Sequence, residues 1–209
     1  MRYSTKFGVG SVIRGGMQGS EDILWGVLND VDSVVRDEDH VVEAVALRLS
    51  RLPVPRIAGF HLALVGLADR ALTWDLWQAA DLVHRSECSE DVFLDFRLWL
   101  IGQGESFFES VMNDPDSLAR HPAIQRLSTK DIGQRGDADF PHMGSLISAS
   151  EIAFDMIVQK LGPAYGVNLT CPDELNARPK EVPDDIIPEG FGSAALLQSE
   201  YPHLFELFG

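Results

Sequence analysis

Cysteine is scarce in this chain: Cys88 and Cys171 are its only two, too few for a disulfide framework. Free cysteine is by habit a small buried residue, so each reads as a structural thiol before a nucleophile. Long apolar runs are missing as well. None approaches the ~18 residues that a bilayer span needs, and the opening MRYSTKFGVGSVIRGGMQGS lacks the continuous apolar segment of a signal peptide. The expectation is a cytoplasmic protein with no membrane role. Basic residues are outnumbered, 17 Lys and Arg against 32 Asp and Glu, for a net charge of -15. Such a chain is repelled by nucleic acid and by anionic membrane surfaces, and no basic-aromatic cluster offsets that. It favours a protein partner of basic character, set against the plainer account of an acidic surface kept for solubility.

Catalytic signatures are also absent. No GxxxxGK[ST] occurs, and Gly102-Gln-Gly104 lacks both the third glycine and the preceding strand of a dinucleotide loop, so it reads as a helix-ending turn. There is no HExxH, no paired CxxC and no GxSxG. His84 and Cys88 are four apart, but the break at Ser86–Ser89 separates them, and nothing supports a dyad or a metal site over a structural thiol. No metal and no cofactor is expected. Neither strand-like alternation over several segments nor a repeat of solenoid-like period appears.

What is present is helical periodicity. Leu24, Leu28, Val31 and Val35 form an apolar stripe from Glu21 onward, with Ser20 as the expected N-cap. Val41, Val45 and Leu49 mark a second helix, stopped by Pro53 and Pro55. Ile57, Phe60, Leu64, Leu67 and Ala71 mark a third, with His61 at the edge of the stripe. The stretch Thr73–Leu118 holds three of four tryptophans and four of eleven phenylalanines and is the expected core. Within it Leu76, Trp77, Ala80 and Val83 form one helix. A second is capped by Ser89, with Glu90 and Asp91 in its first turn, where the helix dipole favours negative charge. Phe107, Phe108, Val111 and Met112 form a third.

Residues 119–143, which include an Arg135–Asp137 RGD tripeptide, read as a loop or insertion. A further helix runs from Leu146 to Leu161 and is ended by Gly162-Pro163. Residues 163–190 carry five of eleven prolines together with carboxylates and read as a surface segment. In the tail, 194–209, Leu204, Phe205 and Phe208 are too apolar for a free end and are expected to dock. The expected fold is therefore all-α: one multi-helix domain over 21–209 with about seven main helices. A flexible arm over 1–20 precedes it, and a Pro-rich acidic late loop belongs to it.

Charge inside the apolar stretch is costly unless paired, which singles out Asp75, Asp91 and Arg97. They read either as an Arg–carboxylate network that fixes helix packing or as the polar site of an enzyme of unknown class. The acidic candidates for partner contact are Asp30, Asp32, Asp37, Glu38 and Asp39 early in the chain, and Asp184, Asp185 and Glu189 in the late loop.

The segments WDLWQAADLV (Trp74–Val83), CSEDVFLDFRLWLIGQG (Cys88–Gly104) and the run Asp114–Ala119 resemble a bacterial family catalogued as domain of unknown function 4240. The helix ILWGVLNDV (Ile23–Val31) and the closing YPHLFELF are similar to it as well, so the resemblance spans about residues 21–208 and is most specific in its middle third. It implies an all-helical domain and supplies no catalytic residues. An acidic helical domain without catalytic signatures suits a binding protein, in particular an immunity or antidote protein that neutralises a basic toxin.

Overall fold

The computed structural model describes residues 9–29, 31, 38–85, 88–136, 139–165, 169–182 and 193–209. Among the described residues every regular element is a helix. In chain order these are α1 (Val9–Asn29), α2 (Glu38–Leu49), α3 (Val54–Arg70), α4 (Trp74–His84), α5 (Glu90–Gly102), α6 (Glu105–Asn113), α7 (Pro122–Ser128), α8 (Ala149–Tyr165), α9 (Ala194–Glu200) and α10 (Pro202–Phe208). Short 3-10 turns occupy Pro115–Arg120, Ile132–Gln134, Gly144–Ser148 and Asp173–Asn176. The all-helical expectation holds, with ten α-helices among the described residues in place of about seven.

Local chemistry explains the boundaries. Ser89 caps α5, its hydroxyl accepting the Val92 N–H at 3.3 Å, as the sequence predicts. Thr73 does the same for α4 through the Leu76 N–H, so the chain restarts there. Pro53 and Pro55 do not merely end α2; they also open α3, at positions where an N–H would be unpaired anyway. Gly104 takes a φ of +95°, which favours glycine, and its N–H donates to the Ile101 carbonyl, so it turns the chain between α5 and α6.

Three sequence expectations are corrected. Residues 9–20 are helical, continuous with the helix expected from Glu21, and Ser20 lies inside α1 rather than capping it. Glycine costs a helix about 1 kcal/mol per residue but leaves every N–H donor in place, so a glycine-rich segment is not barred from it. Residues 119–143 are not a plain loop, because α7 lies within them with Ile124 and Leu127 buried. The backbone of α8 continues to Tyr165, past the expected stop at Gly162-Pro163.

The core draws on α3 as well as on the Thr73–Leu118 stretch. α3 packs against α1, α5, α8 and the Asp173–Asn176 turn, and its Ile57, Phe60, Leu64 and Leu67 are sealed from solvent. The Thr73–Leu118 stretch supplies the aromatic side of that core. Trp77 stacks on Phe93 (centroids 5.1 Å, 9° between planes), Phe96 lies against Trp99, and Trp99 meets the edge of His121. The tail docks, with Tyr201, Leu204 and Phe208 buried and α10 against α4, α7 and the Pro115–Arg120 turn.

The described part of the Pro-rich segment, 169–182, is pinned to the body. Leu175 is fully buried. The His61 Nε2–H donates to the Ala177 carbonyl at 2.9 Å, and the Lys180 N–H donates to Asp69 at 2.7 Å. His61 is thus buried with a backbone partner rather than placed at a boundary, and burial holds its pKa below the ordinary histidine value.

Candidate functional site

The three polar candidates from the core stretch do not come together. Asp75 and Asp91 stand exposed in the first turns of α4 and α5. Arg97 is 1% exposed. Its guanidinium donates to the Ala68 carbonyl at 2.8 Å and the Lys180 carbonyl at 3.4 Å and lies over the Phe93 ring. Burial lowers its pKa to about 10, against the opposing effect of Asp69, which leaves it charged at neutral pH. The expected Arg–carboxylate network is therefore an arginine–carbonyl one, with Asp69 as its nearby anion. Arg97 ties α3 and α5 to the 169–182 segment.

His84 and Cys88 form no dyad. Burial first, and then the charge of Asp81, push the Cys88 thiol up to about 12. His84 stacks on Phe140 at 4.8 Å, and burial holds it near about 4, so it is neutral at pH 7. Arg135 of the RGD tripeptide is engaged with the Lys130 carbonyl and the face of Phe208. Asp137 lies outside the described residues.

The acidic candidates fare differently. Asp30, Asp32, Asp37, Asp184, Asp185 and Glu189 lie outside the described residues. Glu38 and Asp39 open α2, where the helix dipole favours carboxylates. Glu38 accepts the Ser145 N–H at 2.7 Å, and its other oxygen lies 3.5 Å from His142 Nε2. That links the start of α2 to the 139–148 segment, and the Met143 N–H links the same segment to the Asp95 carbonyl on α5 at 3.3 Å. A Cβ at Gly144 would run into the Asp95 carboxylate, which would have to swing aside to admit it.

These contacts gather Glu38, Asp91 and Asp95 into one acidic edge around His142. Asp95 feels it most. Burial, then Glu38, hold its carboxyl above the ordinary carboxylate value; His142 acts the other way and Asp91 adds to the rise. Among the described residues no lysine or arginine is among the charges that act on it. Sequence reasoning singled out Glu38 and Asp91 separately and missed Asp95, one turn after Asp91 on α5, where like charges at i and i+4 repel.

A second feature went unseen. At the far end of α2, about 18 Å from Glu38 for a helix of this length, a groove of about 770 Å³ opens between α1, α2 and the start of α3. Arg48, Arg51 and Arg56 line it, with Asp22 as the carboxylate among its walls. Arg48 and Arg51 looked in the sequence like charges at a helix end. Only the tertiary fold sets them beside the Gly26 face of α1 and next to Arg56.

Compared with known proteins, residues 20–156 match the family described as Protein of unknown function (DUF4240). The chain belongs to this family. The DUF4240 match takes in α2 to α7, and with them Glu38, Asp91, Asp95, His142 and all of the arginine groove. It ends before the 169–182 segment and the closing helices, so it does not reach the YPHLFELF resemblance. No curated protein matches, and no solved structure matches. Among the described residues no helix is long and apolar enough to cross a membrane, and no three His, Cys, Asp or Glu side chains are placed to hold a metal ion.

Proposed function

We propose that this DUF4240 chain is a protein-binding module, and more finely an immunity or antidote protein that captures a basic toxin on its acidic edge. One observation carries the reading. Glu38 and His142 meet at 3.5 Å beside Asp95, whose carboxyl is raised by burial and by Glu38 and Asp91, and among the described residues no Lys or Arg is among the charges that offset this. A lysine or arginine from a partner, set against Glu38, Asp91 and Asp95, supplies the missing cation, and the same field steers a basic protein toward this edge. The -15 net charge acts in the same sense over longer range.

The test is co-expression with the product of the adjacent open reading frame. A toxic product rescued by this chain, with the two eluting as one complex, is the expected result. The charge-reversed Asp91→Lys chain should bind at least about tenfold more weakly and show a weaker salt dependence of association. A neighbour that is harmless alone and forms no complex with this protein sinks the immunity reading.

A further inference from the structure

We propose that the arginine groove is a second docking site, of opposite sign to the acidic edge, which takes an acidic peptide segment bearing apolar side chains. The inference is independent of the toxin reading, since it concerns the other end of α2 and a partner of opposite charge. Charge complementarity is the first ground for it. In a chain with nearly twice as many acids as bases, Arg51 and Arg56 set against Asp22 give this groove a local excess of positive charge. Arg51 and Arg56 are exposed, and among the described residues no carboxylate pairs with either. A guanidinium presents a planar fork that fits carboxylate oxygens two at a time.

The floor of the groove decides what kind of anion fits. Ile23, Val27 and Leu47 line it, and Leu47 is 48% exposed, one of few large apolar side chains so uncovered. A bare inorganic anion or a phosphate backbone gains nothing from such a floor, whereas a leucine or isoleucine between two glutamates covers it. Gly26 lies in the same wall. A Cβ added there meets no atom within 4 Å, so the missing side chain leaves a shallow solvent-open notch, as at the helical Gly19 and Gly66. A side chain of the docked segment enters that notch while its flanking carboxylates pair with Arg51 and Arg56.

The experiment uses the full chain and fluorescence anisotropy with a short labelled peptide that alternates Glu and Leu. Parallel probes are the same peptide with Ser for Leu, inorganic phosphate as competitor, and a short DNA duplex. Saturable, salt-sensitive binding of the Glu–Leu peptide is expected, weakened about tenfold or more by Arg51→Glu and by Arg56→Glu. Gly26→Trp, which fills the notch, should abolish the preference for Leu over Ser while Arg51 and Arg56 remain. Circular dichroism confirms that each variant is folded; the two arginine variants alter exposed side chains and test the proposal whether or not Gly26→Trp folds. The proposal is overturned by the absence of saturable binding or by binding that ignores both arginine reversals. Equal affinity for the Ser peptide or phosphate would make the groove a bare anion site, and tighter binding of the duplex would make it a nucleic-acid site; either result also overturns it.

Discussion

The carboxylate of Asp116 caps a helix that begins 86 residues later in the chain, at Pro202. One oxygen accepts the Leu204 N–H at 2.8 Å, and the other accepts the His203 N–H at 3.1 Å and lies against the His203 ring. α10 has only seven residues, too few to stand alone, and Asp116 is buried where those N–H groups would otherwise be orphaned.

Asp116→Ala should therefore loosen the whole closing segment. Charge-assisted bonds to buried N–H groups are worth on the order of 2–3 kcal/mol together, a loss of roughly 4–10 °C in Tm for a chain of this size. Asp116→Asn keeps one acceptor without the charge and should fall between the two. Limited carboxypeptidase digestion should shorten the Ala variant and spare the parent. An unchanged Tm in Asp116→Ala would mean that Leu204 and Phe208 hold the tail by burial alone.

What could be read in advance was what is encoded locally. The Ser89 cap, its acidic first turn and the i, i+3, i+4 stripes of α2 to α6 involve residues a few positions apart, so a linear reading finds them. The Asp116 cap joins distant residues and leaves no such trace. α7 is too short to show a period, and its cap is the ring nitrogen of His121, which accepts the Ala123 N–H at 3.2 Å in place of the usual Ser, Thr, Asp or Asn oxygen. The cost of burying Arg97 was legible, but its partners are main-chain carbonyls, which every residue carries and no pattern marks. Glu38 and Asp91 were each visible as acids; that they share an edge with Asp95 depends on the 139–148 segment, where no period warned of contact.

Trp77 joins the aromatic core to a loop. Its ring stacks on Phe93, and its indole N–H donates to the Cys88 carbonyl at 3.0 Å, fixing the chain just before the α5 cap. Trp77→Ala opens a cavity and leaves that buried carbonyl unpaired, a loss of about 3–5 kcal/mol. Trp77→Phe keeps most of the stack and should cost less by about 1–2 kcal/mol. Urea unfolding of the pair measures the difference. Equal midpoints for Trp77→Phe and the parent would show that the Cys88 contact adds nothing.

Arg97 predicts a more selective effect. Lysine keeps the charge but offers one ammonium where the guanidinium reaches both the Ala68 and the Lys180 carbonyls. In Arg97→Lys the 169–182 segment should remain anchored by Asp69 and His61 yet open more often. Amide exchange of residues 177–182 should quicken about tenfold, as expected for a loss of about 1.4 kcal/mol, while α2 and α8 are little changed. Uniform acceleration across the chain would instead make Arg97 a general core residue with no special hold on that segment.

The buried histidines set a pH dependence whose sign follows from their environment. Burial holds both His84 and His121 near about 4, well below the ordinary 6.5; the charge of His142 adds to the effect on the first and that of Arg126 on the second. Between those values the unfolded chain binds protons that the folded chain refuses, so stability rises with pH across the window. The contribution is complete above about pH 6.5 and is lost as pH falls toward 4, by at most about 1.4 kcal/mol per pH unit for each histidine. Asp95, shifted upward, works in the opposite direction, because its neutral form is favoured in the folded state and its contribution fades as pH rises. The wild-type profile is thus a sum of opposing slopes, and difference measurements separate them. His84→Phe keeps the contact with Phe140 and removes a titrating ring; His121→Asn keeps a cap acceptor for Ala123. Each variant should lose less stability than the parent between pH 7 and pH 5 in urea titrations, and the double variant should lose least. Parallel curves for parent and double variant would show that neither histidine governs acid stability.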